Sequence, residues 1–184
     1  MLRTEFLTIE NYSRYGEWLK QQNAETLELY FGVGGTQGVI DSLMEKIRIQ
    51  PQDHFFLIAI DGDQWVGTTH IATKGQQVEF GLIVDPAHRG KGVASLMLED
   101  ALTWVRNRNY RELFMHCLTW NRPINHLCNK HGLTTRNMMG DSEVQITLDP
   151  PTWITLNKEV CIKNRNLFHT VLDNNRALFR EIYG

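Results

Sequence analysis

Two glycines and two basic residues form a short turn near the middle of the sequence, Arg89-Gly90-Lys91-Gly92. An apolar run that is typical of a strand stops at Asp85, and an apolar-periodic helix begins directly after the turn. Backbone N–H groups at the start of a helix have no intrahelical partner, and the helix dipole favours an anion there. Glycine lets the backbone approach a ligand closely. The turn is therefore predicted to bind a phosphate group.

The segments before and after this turn predict the elements that hold it in place. Strands are predicted over 54–60, 65–72 and 77–84, because Asp-Gly and Lys-Gly turns separate these apolar runs as they do in hairpins. A helix over 91–108 and a strand over 111–118 then complete a βαβ unit with parallel strands. The other predicted elements are a strand over 2–9, helices over about 12–22, 25–31, 39–47 and 121–132, and strands over 133–138 and 143–148.

Composition favours an ordinary globular domain. The chain has 184 residues, of which 42% are hydrophobic and 22% are charged, and a net charge of −2 gives no argument for nucleic-acid or membrane binding. Three cysteines at no metal-ligand spacing predict reduced thiols and a cytoplasmic location. The first residues lack the apolar core of a signal peptide, and the longest apolar run, 55–60, is too short to cross a bilayer.

Asp149-Pro150-Pro151 marks a predicted boundary between a domain over 1–149 and a helical extension over 150–184. An apolar stripe in the extension predicts one or two amphipathic helices. These helices are expected either to cover a cleft of the domain or to pair with a second copy of the chain in a homodimer.

Two motifs occur in the same order, and on a compatible strand pattern, as in the GCN5-related N-acetyltransferase (GNAT) superfamily, which this chain therefore resembles. The pyrophosphate motif of that family, Gln/Arg-x-x-Gly-x-Gly/Ala, is present as the run from Arg89 to Ala94. A second family block matches at Asn121, Leu127, Lys130 and Gly132. Its usual Tyr is replaced here by Cys128, its Ala by Ile124 and its final Phe by Leu133. The resemblance covers about residues 1–148.

The resemblance implies an α+β, three-layer fold: a mixed, mostly antiparallel sheet with a central βαβ unit. It also implies direct transfer of the acetyl group of acetyl-CoA, the co-substrate, to an amine of a small molecule or peptide, with no metal. The alternative is that the protein has the same fold but is a catalytically weak or inactive regulatory or structural module that binds acyl-CoA. A nucleotide enzyme is disfavoured, because neither a P-loop nor a well-formed dinucleotide motif is present.

The family's cofactor-binding residues map onto one strand, the turn and one helix start. The resemblance implies pyrophosphate binding by the amides of 89–94, and contacts to the pantetheine arm by the strand end and by Asn121. The residues so assigned are Leu82, Ile83, Val84, Arg89, Gly90, Lys91, Gly92, Val93, Ala94 and Asn121.

Two residues are candidates for catalysis. Glu79 is the only carboxylate inside the strand 77–84, so it is either the base that deprotonates the amine or an exposed strand residue. Cys128 occupies the position of the Tyr that commonly acts as the general acid in the family, so it is either a proton donor or a small buried residue. His70, His116, His126 and His131 are weaker candidates.

The resemblance places the acceptor between the first helices and the last hairpin. Here those segments are about 24–40 and 138–144. The glycine-rich loop 32–38 either closes over the acceptor or connects two helices.

Overall fold

The computed structural model describes residues 2–32, 37–118, 122–130, 135–138 and 141–183. Within those ranges it contains a seven-stranded sheet and helices on both faces. The strands are β1 (Leu2–Phe6), β2 (His54–Asp61), β3 (Gln64–Lys74), β4 (Gln77–Val84), β5 (Glu112–Leu118), β6 (Thr135–Met138) and β7 (Asp141–Thr147). The α-helices are α1 (Tyr12–Lys20), α2 (Ala24–Phe31), α3 (Gln37–Ile49), α4 (Val93–Asn107), α5 (Arg122–Lys130) and α6 (Trp153–Tyr183).

The strand order is β1-β2-β3-β4-β5-β7-β6. Only β4 and β5 run parallel, with α4 as the crossover between them; the other recorded pairs are antiparallel. Gly62 and Gly75, with φ of 62° and 61°, form the tight turns that join β2 to β3 and β3 to β4. The sheet confirms the predicted α+β class, the hairpins and the central βαβ unit.

Alternate residues of the strands face two different cores. Phe56 of β2 packs with α1, α2 and α3 through apolar side chains that include Tyr15 and Ile40. Its neighbour Leu57 faces the other core, which α4 and α5 complete through residues such as Leu98. This period-two alternation produces three layers, with the sheet in the middle.

The sheet opens between β4 and β5. Pairing between these strands runs only over Gln77–Glu79 with Glu112–Phe114, whereas β3 pairs with β4 as far as Val84. The backbone of residues 80–84 that faces β5 therefore has no strand partner in the described part of the chain. The opening lies directly before the glycine turn.

The C-terminal extension forms one helix, α6, which packs on α4 and β1. Polar contacts hold it there: Arg165 Nη2 lies 3.0 Å from Asp100 Oδ2, and Arg108 pairs with Glu159 at 3.3 Å. Several apolar side chains of α6 face outward instead: Trp153, Ile154, Leu156, Val160, Leu167, Phe168 and Val171. The domain boundary stays a prediction. Among the described helices, none is long and apolar enough to span a bilayer.

Candidate functional site

The glycine turn has the backbone geometry that its sequence predicts. Gly90 and Gly92 have φ of 74° and 82°, which side chains other than glycine rarely adopt. Gly92 caps α4, so the helix begins at Val93 rather than at Lys91 as predicted. The Leu96 N–H donates to the Gly92 carbonyl at 3.0 Å. The N–H groups before Leu96 therefore have no acceptor within the helix.

Arg89 braces the turn against α2. Its Nη2 donates to Thr26 Oγ1 at 2.6 Å, and its Nε donates to the Val84 carbonyl at 3.3 Å. The guanidinium thus joins the end of β4 to the first turn of α2, while its positive charge stays next to the turn. Lys91 is exposed.

A cavity of about 570 Å³, here called the loop cavity, lies between the glycine turn, β4, α2 and α5. It contains the basic residues Arg89 and Lys130, and no carboxylate is among its described lining residues. Lys130 Nζ lies 3.4 Å from Ser95 Oγ in the first turn of α4. The lining residues include Leu82, Ile83, Val84, Arg89, Gly90, Gly92, Val93 and Ala94. Lys91 is not among them, and Asn121 lies outside the described residues.

A second cavity of about 390 Å³, here called the histidine cavity, adjoins the first. Leu29, Tyr30 and Leu82 line both cavities, so the two spaces meet at these side chains. Its other lining residues are Phe31, Leu43, Lys46, His54, His70, Ala72, Glu79, Phe80, Gly81 and Met115.

Tyr30 stands at the junction of the two cavities. Its hydroxyl lies 3.0 Å from the Tyr15 hydroxyl, which is in the core. Burial raises the pKa of Tyr30 to about 12; the bond with Tyr15 opposes this rise and the charge of Glu79 adds to it. Either hydroxyl of this pair can be the donor. When Tyr15 donates, the Tyr30 proton is left free to point toward the cavities.

Two buried imidazoles form part of the wall of the histidine cavity. His54 Nδ1 lies 2.9 Å from His70 Nε2, and the His70 ring stacks on Phe56. Burial, reinforced by His54 and Lys46, lowers the pKa of His70 to about 3. Burial and the charge of Lys46 also lower the pKa of His54. Both rings are therefore neutral at neutral pH.

Glu79 lies on the same sheet face as His70 and Gly81, in register with Ala72 of β3. Its side chain is exposed and lines the histidine cavity. Glu79 nevertheless sits within electrostatic reach of Tyr30.

Cys128 does not share this site. It is fully buried in the core that α4 and α5 form with the sheet, beside Leu127. Cys128 is absent from the described lining of both cavities, whereas the exposed His126 lines the loop cavity. His116 is in β5, but its side chain and all of His131 lie outside what is described.

Sequence reasoning missed Tyr30, Lys46 and His54. The helix 25–31 was predicted, but its sequence does not indicate which aromatic residue meets the opening between two strands. The acceptor segments predicted from the resemblance overlap the histidine cavity only at residues 29–31. Residues 139 and 140 of the last hairpin and 33–36 of the glycine-rich loop are not described.

A sequence profile described as the acetyltransferase (GNAT) family matches residues 15–133, which include the turn, the open strand edge and both cavities. The chain belongs to the GNAT family. No curated protein matches the chain at a significant level.

Solved GNAT structures share the fold at low sequence identity. The GNAT domain of S. lividans PAT is 20% identical with a TM-score of 0.66, over 80% of this chain and 90% of that one. PaiA N-acetyltransferase from Thermoplasma acidophilum, in complex with coenzyme A, is 17% identical with a TM-score of 0.61, over 80% and 99%. Spermidine N-acetyltransferase from Vibrio cholerae, in complex with CoA and spermine, is 18% identical with a TM-score of 0.62, over 80% and 95%.

Proposed function

We propose that this GNAT protein transfers the acetyl group of acetyl-CoA directly to an amine. The observation that carries the proposal is the meeting of the two cavities at Tyr30 and Leu82. One cavity has a glycine turn suited to phosphate, and the other has a carboxylate. Family membership and the CoA complex of a structural neighbour support the same assignment.

The loop cavity fits coenzyme A. The amides of residues 90–94 and the dipole of α4 would hold the pyrophosphate, and the charges of Arg89 and Lys130 would attract it. The open backbone edge of residues 82–84 would hydrogen-bond the pantetheine arm. Acetyl-CoA supplies the activated acetyl group. Holding both reactants in one orientation supplies much of the rate.

Glu79 is the proposed base. Its carboxylate accepts a proton from the substrate ammonium, which frees the nitrogen lone pair for attack on the thioester carbon. As the C–N bond forms and the C–S bond breaks, the nitrogen loses its second proton to water and the sulfur leaves as a thiolate. General-base catalysis of this kind contributes about 10²–10⁴-fold.

Tyr30 is the proposed hydrogen-bond donor to the charge that develops at the thioester. With a pKa of about 12 it stays protonated at neutral pH. Full transfer of its proton to a thiolate with an ordinary pKa of ~8.5 is uphill by about 5 kcal/mol. Tyr30 therefore stabilises the charge without being deprotonated, and water protonates the departing sulfur. The buried position of Cys128 makes it less suited to this role.

The experiment pairs acetyl-CoA binding, measured by calorimetry, with release of free thiol in the presence of a panel of amines. Binding and amine-dependent thiol release are the expected results. Binding without turnover would favour the alternative, a CoA-binding module, and absence of binding would contradict both.

Ser95→Glu tests whether the loop cavity binds the pyrophosphate of acetyl-CoA. The new carboxylate would repel the pyrophosphate but is favourable for the helix, because it lies in the first turn of α4. We expect at least about tenfold weaker acetyl-CoA binding, equivalent to ~1.4 kcal/mol. Ser95→Gln, which has the same size without the charge, is the matched control and should bind nearly as the wild type does.

A homodimer through α6 is also proposed, because this helix exposes an apolar face. Sedimentation velocity of the full chain would test it. Val160→Glu should shift a dimer to a monomer, and a monomeric wild type would contradict the proposal.

A further inference from the structure

The histidine cavity contains one charge of each sign. Lys46 of α3 and Glu79 of β4 are its charged lining residues among those described, since the two lining histidines are neutral at neutral pH. A substrate that carried only ammonium groups would be attracted by Glu79 and repelled by Lys46. A substrate with both an amine and an anionic group would match both charges.

Lys46 is available to a ligand. It is exposed and forms no ion pair with a carboxylate of the described residues. The nearby acidic residues of α3 have other partners: Glu45 pairs with Arg48 at 2.7 Å, and Asp41 pairs with Lys20 at 3.0 Å. Asp53, next to His54, is close enough to raise the pKa of that imidazole but forms no recorded bridge to Lys46.

The two charges act on different parts of the cavity. Glu79 is on β4, two residues before Gly81, which packs against Tyr30 at the border with the loop cavity, whereas Lys46 is on α3. An amine beside Glu79 would therefore be near the thioester, with the anionic group held toward α3. The remaining wall is largely apolar and includes Phe31, Leu43 and Met115. A volume of about 390 Å³ accommodates a small molecule.

We infer that the acceptor is a small amino carboxylic acid with an apolar side chain, whose carboxylate pairs with Lys46 and whose amine is placed beside Glu79. This inference rests on the proposed acetyltransferase function and specifies its substrate class. Polyamines and simple alkylamines lack the anionic group, so they are poorer acceptors.

The test compares matched pairs of acceptors with the full-length chain and acetyl-CoA, measured by thiol release. Each apolar amino acid is compared with its own amide, which keeps the side chain but removes the negative charge. Because the amine of the amide is less basic, kcat/KM is expressed per deprotonated amine. We expect kcat/KM for at least one free acid to exceed that of its amide by about fivefold or more, the upper range for an exposed ion pair.

Lys46→Gln should reduce this acid-to-amide ratio to about one, because the free acid loses its ion pair and the amide loses the repulsion between its ammonium group and Lys46. Arg48→Gln is the matched control, because it removes a positive charge from the same helix outside the cavity; the ratio should stay as in the wild type. A wild-type ratio near one, or a Lys46→Gln variant in which both rates fall equally, would overturn the inference while the acetyltransferase function stood.

Two further comparisons distinguish a carboxylate acceptor from a phosphate-bearing acceptor and from a polyamine. O-phosphoethanolamine and ethanolamine form a second pair, and a preference confined to this pair would replace the carboxylate by a phosphate and so overturn the inference. Spermidine is the polyamine reference, and faster turnover with spermidine than with every amino acid would also overturn it. Absence of thiol release with all amines would overturn the proposed function and this inference together.

Discussion

Tyr30 packs directly against Gly81, and this contact depends on the absence of a side chain on β4. A Cβ built on Gly81 would lie 2.7 Å from Cε2 and 2.9 Å from Cζ of the Tyr30 ring, too close for any real contact. The same ring lines both cavities. Gly81 is thus the position at which the sheet lets an aromatic residue of α2 reach the junction.

Gly81→Ala is expected to displace the Tyr30 ring and lower kcat by about tenfold. Overpacking should also reduce the free energy of unfolding by about 1–3 kcal/mol. Steady-state kinetics and urea denaturation measure the two effects. Gly16→Ala is the control, because its new methyl group meets only the flexible side chain of Met44. Unchanged kinetics in Gly81→Ala would show that the position of Tyr30 does not matter for turnover.

Tyr30→Phe removes the hydroxyl but keeps the ring at the junction of the two cavities. We expect kcat to fall about 100–1000-fold, as for loss of one donor to a developing charge, with the Kd of acetyl-CoA nearly unchanged. Tyr15→Phe should give a smaller loss of kcat, because it removes only the bond that orients Tyr30. If kcat fell only slightly, and equally, in both variants, the two hydroxyl groups would contribute to packing and not to catalysis.

Glu79→Gln is expected to lower kcat/KM about 100-fold near pH 7. The defect should shrink as the pH rises toward the pKa of the substrate amine, because more acceptor is then already deprotonated. A pH profile of kcat/KM from 6 to 10 measures this. Glu112→Gln, on the adjacent strand and bonded to Gln77 at 2.6 Å, is the control for a lost negative charge. A defect in Glu79→Gln that does not depend on pH would contradict the base role.

Cys128→Ala is expected to leave kcat unchanged and to reduce the free energy of unfolding by about 1 kcal/mol, because it deletes a buried sulfur. Cys128→Tyr should not improve turnover, since a phenol would overpack the core at this position. A fall in kcat of tenfold or more in Cys128→Ala, with acetyl-CoA binding preserved, would restore the proton-donor role.

The sequence predicts those parts of the fold that local signals encode. The turns at Gly62 and Gly75, the apolar runs of β2–β4 and the glycine turn before α4 all lie within short windows, so pattern and turn chemistry identify them. The start of α4 was predicted two residues early, because the left-handed conformation of Gly92 ends the loop later than the periodicity suggests.

The contents of the histidine cavity could not be predicted in this way. His54 and His70 are 16 residues apart and meet only through the register of β2 with β3. Tyr30 and Gly81 meet through the packing of α2 on the sheet, which no short window encodes. The motif assigns Cys128 to the position of the family's Tyr, but it does not reveal that the side chain of Cys128 is in the core.

The buried His70 should make the protein sensitive to acid. Its folded pKa of about 3 lies below the unfolded value near 6.5, so the unfolded state binds more protons between these limits. The contribution of neutral His70 to the free energy of unfolding is therefore fully present above about pH 6.5 and is lost as the pH falls toward 3. At pH 5 this loss amounts to about 2 kcal/mol. Urea denaturation at pH 7, 6 and 5 measures the slope. His70→Gln should flatten this slope, whereas His126→Gln, at an exposed position, should not. An equal slope in wild type and His70→Gln would mean that other groups cause the acid sensitivity.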